Sequence, residues 1–177
     1  MKQLRENGLQ LLYVGVESGD DEVLAAVNKG ETFESQVGAL QKAKEAGMRL
    51  SVMILNGLGG KKMSEQHAVQ SAKLCNAVKP EFLSTLVLSY PHGKEHFNKR
   101  FKGGFEELST TGLIREMKIF IKNLDLEKTV FRSDHASNYL VLKGNLNRDK
   151  EELLKRIEDA LEDPDQVGLR EEWMRGL

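Results

Sequence analysis

Three apolar runs, Leu9–Val16, Met48–Leu55 and Phe82–Tyr90, recur at intervals of roughly 30 to 40 residues, each followed by a helical pattern or a polar loop. A strand followed by an amphipathic helix of that length returns to the same sheet by a right-handed crossover, so the repeat prescribes parallel pairing. The second run, Leu50-Ser51-Val52-Met53-Ile54-Leu55, hardly alternates, as a strand covered on both faces does. Three such units are too few to close an eight-stranded barrel, and they leave a sheet edge free to pair with another strand. The expected class is therefore α/β with an incomplete barrel, and a second copy meeting that open edge is the partner arrangement it offers.

The first run, Leu11-Leu12-Tyr13-Val14-Gly15-Val16, stops at Glu17-Ser18-Gly19 and passes into the acidic start of a helix at Asp20-Asp21. Open parallel sheets bind ligands at the carboxyl ends of their strands, where loops are free of packing duty. Glu17 and Ser18 fall at that rim. A carboxylate there loses hydration unless it finds a partner, and the hydroxyl pair of a sugar is a suitable one. A helix cap, with Asp20 and Asp21 facing the helix dipole, is the alternative.

Helices are expected over Asp20–Asn28, from a Thr32 cap to Ala46, and over Glu65–Val78 with Ser64 as cap. Between the last two lie Met48–Leu55 and then Asn56-Gly57-Leu58-Gly59-Gly60. Such a turn either brings backbone close to a ligand or supplies left-handed conformations, and its spacing matches neither phosphate loop nor dinucleotide fingerprint. Cys75 reads as a small core residue of the third helix. It is the only cysteine, so no internal disulfide forms, and a cytoplasmic setting is expected. A net charge of -1 gives no positive sign of nucleic acid, and no apolar run approaches a membrane span.

Beyond Gly93 the chain changes character. A basic, glycine-containing loop with a short helix around His96–Phe101 precedes an amphipathic helix, Gly112–Leu124, whose inward residues are Leu113, Met117, Phe120, Ile121 and Leu124. His92 and His96 have the spacing of a helical metal pair, but Pro91 and Gly93 favour surface histidines. Thr129–Phe131 reads as a short last strand, and Asn147–Leu161 as a last helix. Between them, Arg132-Ser133-Asp134-His135-Ala136-Ser137-Asn138-Tyr139 has seven polar or ionisable side chains in eight, which makes it either a substrate-facing loop or a capped turn.

Taken in order, Gly15-Val16-Glu17-Ser18-Gly19, Val23-Leu24, Asn28-Lys29-Gly30-Glu31-Thr32, Leu50–Leu55, Gly57-Leu58-Gly59-Gly60 and Tyr90-Pro91 resemble radical S-adenosylmethionine (radical SAM) enzymes. The nearest branch is that of the methylthiotransferases and the elongator-type acetyltransferases. The resemblance implies that residues 1–93 are the distal half of a (β/α)₆ radical SAM barrel and that 94–177 form a mostly helical C-terminal extension. It also implies a fragment whose intact parent reductively cleaves S-adenosylmethionine on a [4Fe–4S] cluster to give a 5′-deoxyadenosyl radical. By the same resemblance Glu17 and Ser18 meet the ribose or aminoacyl part, Asn56, Gly57, Leu58, Gly59 and Gly60 lie against the adenosyl group, and Ser89, Tyr90 and Pro91 contact adenine. The cluster needs three converging thiolates from a C-x-x-x-C-x-x-C loop, and this chain has one cysteine, so the isolated chain is expected to be inactive. A non-catalytic half-barrel binding module is the alternative. Arg132, His135 and Asn138 are the residues expected to contact a substrate, whose identity the sequence does not give.

Overall fold

A computed structural model describes residues 1–175. In chain order the helices are α1 (Lys2–Glu6), α2 (Asp21–Ala26), α3 (Phe33–Glu45), α4 (Gly60–Val78), α5 (Lys94–Arg100), α6 (Thr110–Asn123), α7 (Lys150–Glu162) and α8 (Pro164–Val167). The strands are β1 (Leu11–Glu17), β2 (Arg49–Asn56), β3 (Phe82–Val87), β4 (Val130–Ser133) and β5 (Leu142–Asn145). A single 3₁₀ turn, Glu172–Met174, follows near the end. The strands form one sheet in the order β1-β2-β3-β4-β5, parallel from β1 to β4, with β5 antiparallel. This is the partial (β/α) barrel that the repeat prescribes.

Local signals place most boundaries. Asp20 caps α2 by accepting from the Val23 amide, and Thr32 and Ser35 close a reciprocal capping box at the head of α3. Gly8, Asn28 and Gly47 follow the C-caps of α1, α2 and α3 in the left-handed region that stops a helix. The Ser64 signal was overruled: α4 begins at Gly60, and the Ser64 hydroxyl donates to Glu116 instead of capping. Gly60 makes the early start feasible, because a Cβ there would stand 2.8 Å from the Glu106 carbonyl oxygen.

Paired residues of parallel strands point to the same side. Val14, Val52, Leu83 and Phe131 therefore share one face, with Leu50, Ile54, Thr85 and Leu142 around them. The core lies on that face under α3, α4, α6 and α7, where Leu113, Met117, Phe120, Ile121 and Leu124 of the α6 segment are all buried as expected. On the opposite face Met53, Leu55 and Leu86 are half-buried, and Tyr13 is 74% exposed. The expectation that β2 is covered on both faces is corrected accordingly. Its apolar run packs fully on one side and lines the half-open concave side of an incomplete barrel on the other.

The C-terminal extension contributes more than helices. Phe82–Ser84 of β3 pair with Val130–Arg132 of β4, so the sheet continues across residue 93, and β5, a strand the sequence did not signal, closes its far edge. Gly144 lies close under α7, where a Cβ would stand 3.0 Å from the Asp149 Cβ. No helix among the described residues is long and apolar enough to cross a membrane.

Candidate functional site

Parallel pairing brings the loops after β1, β2, β3 and β4 to one edge of the sheet, so Glu17, Asn56, Ser89–Pro91 and Ser133–Asn138 share the carboxyl rim. Glu17 itself is unusual. The ladder shifts between Gly15 and Glu17, and Glu17 adopts φ 68°, a left-handed conformation that costs an ordinary residue about 1 kcal/mol. Its side chain folds back over Gly15, where a Cβ would lie 2.3 Å from Oε1, and Lys29 Nζ stands 3.5 Å from the same oxygen. The carboxylate is a quarter exposed, held by a glycine beneath it and a lysine beside it.

Ser18 turns the other way. Fully buried, its hydroxyl lies 2.8 Å from His67 Nδ1 and accepts from the Asp20 amide. His67 Nε2 lies 3.0 Å from the Leu55 carbonyl oxygen. These contacts fix one tautomer, with Nε2–H donating to Leu55 and Nδ1 accepting from Ser18. Burial pulls the imidazole down to about 4, so it is neutral at pH 7. On the next layer Glu116 Oε1 accepts from the Gly57 amide at 2.6 Å, its Oε2 accepts from Ser64 at 2.6 Å, and His67 Nε2 stands 3.8 Å away. Burial raises the Glu116 carboxyl to about 7, against the pull of those two hydrogen bonds.

The glycine-rich turn is built by its own chain. Gly57 sits at φ 89° against Leu113, a Cβ on Gly59 would meet the Met63 carbonyl at 2.8 Å, and the Asn56 amide donates to Leu113 O. Leu58 is also buried. The Asn56 side chain thus faces α6 and Leu58 is withdrawn from solvent, so what the turn offers a ligand is backbone. After β3, Ser89, Tyr90, Pro91, His92, Phe97 and Phe101 line a cleft of ≈ 270 Å³. Tyr90 packs edge-on against Phe97 and Phe105, and burial together with the neighbouring Glu107 carboxylate raises its hydroxyl's pKa. His92 precedes α5 rather than sharing a helix with His96.

The polar loop after β4 is also placed by backbone needs. The β3–β4 ladder ends at Ser84–Arg132, and beyond it Ser137 Oγ accepts from the Val87 amide while Asn138 Nδ2 donates to Thr85 O at 2.8 Å. Asn138 is buried, His135 Nδ1 accepts from the Ser137 amide, and Arg132 is exposed on the opposite face of the sheet. Asp134 pairs with Lys143 at 2.9 Å, not with His135, and that contact holds its carboxyl below the usual range. Arg170 donates to the Asn138 and Asp134 carbonyls, and Arg175 stacks 3.9 Å over Tyr139, so the tail straps this loop down. Arg132, His135 and Asn138 do not converge on one point.

Sequence reasoning passed over His67 and Glu116. The available signal was register: Glu116 falls three after Leu113 and four before Phe120, inside the apolar stripe of α6, and His67 lies four before Ser71 on the buried face of α4.

Cys75 does not fit a metal site. It is fully buried, burial pushes its thiol up to about 12, and no group of three or more metal-ligating side chains occurs among the described residues. The nucleoside end fits better: a lysine-steadied carboxylate stands at the rim, beside a cleft lined by Tyr90, Pro91 and Phe97.

Fold and rim together define a partial (β/α) barrel with polar groups gathered at its carboxyl rim. Residues 1–75 match the model of the Radical SAM superfamily. The match ends inside α4. Among solved structures, the chain is similar to the archaeal Elp3 of Methanocaldococcus infernus with an N-terminal deletion (1–46), at 18% identity and a TM-score of 0.60. That likeness covers 96% of this chain and 39% of the other, and shows the fold. No curated protein matches the chain.

Proposed function

We propose that this chain supplies the nucleoside-holding side of a radical SAM site. Glu17 would accept the ribose hydroxyls of S-adenosylmethionine, the backbone of Asn56–Gly60 would lie against the adenosyl group, and Ser89, Tyr90 and Pro91 would flank the base. Ser18 would serve the same site from beneath, by holding Glu17's loop on His67. The observation that carries this reading is Glu17: a carboxylate kept at the carboxyl rim in a strained conformation, over a glycine that leaves it room. The residues of this chain do not fit the [4Fe–4S] cluster that the superfamily implies, because one buried cysteine offers neither three thiolates nor an accessible one. Reductive cleavage of S-adenosylmethionine to a 5′-deoxyadenosyl radical would therefore need thiolates from beyond these 177 residues, and the chain alone would be inactive. In such an assembly the extension from residue 94 onward is proposed as the substrate-facing part, with the exposed Arg132 and His135 as its contacts and the buried Asn138 holding their loop to β3.

The test is calorimetric titration of the 177-residue chain with S-adenosylmethionine, beside iron and sulfide quantification after anaerobic reconstitution. Binding that Glu17→Ala abolishes, with no stoichiometric cluster, supports the reading. Absence of binding in the wild type overturns the nucleoside assignment, and about four irons per chain overturns the statement on thiolates.

A second reading, a non-catalytic half-barrel that pairs with a copy of itself, is favoured by the edge position of β1 and the exposure of Tyr13 on it. Its signature is a stable dimer by sedimentation that ignores S-adenosylmethionine.

A further inference from the structure

Beyond the Glu17–Ile54 pair that ends the β1–β2 ladder, no hydrogen bond among the described residues joins the two loops assigned to the ligand directly. Both hang on a buried polar cluster supplied by α4 and α6. From the first loop, the Asp20 amide donates to Ser18 Oγ at 3.0 Å, and Ser18 lies 2.8 Å from His67 Nδ1. From the second, Leu55 O lies 3.0 Å from His67 Nε2, and the Gly57 amide donates to Glu116 at 2.6 Å. His67 and Glu116 stand 3.8 Å apart, with side chains 1% and 2% exposed. Neither side chain is in a position to touch a ligand.

Gly57 is the residue most in need of such a hold. It sits at φ 89°, with Leu113 where a side chain would be, so its conformation is available to glycine and to few other residues. A glycine in an unsupported turn samples many states. An acceptor fixed on a long helix removes that freedom by capturing the amide. The carboxylate does so with one oxygen while Ser64, one turn into α4, occupies the other.

We propose that Glu116, with His67 behind it, is a positioning residue of the S-adenosylmethionine cradle: it clamps the Gly57 turn to α6 and, through His67, to the loop that carries Glu17. The proposal rests on the reading of the cradle given above. The ionisable groups facing Glu116 are His67 on α4 and, beyond the imidazole, Asp20 at the head of α2, which acts on His67 through space. Because the clamp is a titratable carboxyl, its hold on Gly57 is expected to change across neutral pH, whereas that of an amide in its place is not.

The experiment uses the whole chain, as wild type, Glu116→Gln and Glu116→Ala. Two quantities are read: the Kd for S-adenosylmethionine by calorimetry from about pH 6 to 8, and the protection of the Gly57 amide by hydrogen exchange. Glu116→Ala strands a buried amide, so about a tenfold or greater rise in Kd and a comparable fall in Gly57 protection are expected. Glu116→Gln keeps an acceptor for Gly57, so it should stay within about threefold of the wild type and flatten the pH profile. Unchanged Gly57 protection in a folded Glu116→Ala protein overturns the proposal. So does a Glu116→Gln pH profile that superimposes on the wild type, which is the deciding arm if the alanine variant does not fold. If the wild type binds no S-adenosylmethionine, the cradle reading fails, and Gly57 protection across the same pH range decides whether Glu116 clamps the turn.

Discussion

At Glu17, a carboxylate sits in a backbone conformation that disfavours any residue with a side chain. Glu17→Gly relieves that strain and gives up a partly exposed contact with Lys29 that contributes little. The variant is expected to unfold in urea at an equal or higher concentration than the wild type, by up to about 1 kcal/mol, while losing S-adenosylmethionine binding. Lower stability would mean that the carboxylate is retained for the fold. His67 and Glu116 make opposite contributions to the pH dependence of stability. Folded Glu116 keeps its proton up to about 7 where an unfolded carboxyl loses it near 4.5, so its contribution falls as pH rises through that window. Folded His67 stays neutral down to about 4 where an unfolded imidazole protonates near 6.5, so its contribution rises with pH. Between 4.5 and 6.5 the two slopes offset each other. Urea midpoints of Glu116→Gln should therefore climb over this range relative to wild type, and those of His67→Gln should fall. Parallel profiles for all three proteins would contradict the assignment of the proton to Glu116.

Among the elements, α4 is the post on which the rim is built. Gly19 lets the β1–α2 loop cross it, for a Cβ there would stand 2.4 Å from the Gln70 carbonyl oxygen and 2.9 Å from the Ser71 Cα. Both obstacles are backbone, so neither can swing aside. Gly19→Ala is expected to lower stability by about 1–3 kcal/mol in denaturant titration, and an unchanged midpoint would show that the loop can lift off. At Gly15 the obstacle is only the far end of the Glu17 side chain. The element scale also shows what was legible. The capping residues Asp20 and Thr32 and the stripe of α6 were readable, because each acts within one or two turns of its own position, whereas the Ser109 cap, which starts α6 two residues earlier than expected, was passed over. The start of α4 was not, because Ser64 has a better partner in Glu116, 52 residues away. Nor was β5, whose Leu-Lys-Gly-Asn sequence has little strand preference and is held by pairing with β4.

For the whole molecule, the sheet and its cover straddle the change of character at residue 93. β4 pairs with β3, and α6 lays Leu113, Met117, Phe120 and Ile121 over the outer face of the earlier strands. Residues 1–93 expressed alone would expose that face, and they are expected to give no cooperative unfolding transition by circular dichroism. A cooperative transition from that segment would show that the extension is dispensable for folding. The same interdependence places the rim: its loops come from four strands, but their positions are set by helices from both sides of residue 93.

The sequence by itself determined the parallel α/β class, the order of the first three strand–helix units, the core role of Cys75 and the alignment of Glu17, the glycine-rich turn and Ser89–Pro91 on one edge. Those follow from periodicity and from the fact that parallel strands end together. Only the tertiary structure decided which way each rim side chain turns. Ser18 and Asn56 look inward, Glu17 looks out, and Asn138 completes the hydrogen bonding of β3. The physical reason is that a buried polar atom must find a partner. The partners here, His67, Leu113 and Thr85, lie roughly 50 residues away, at separations no local pattern records.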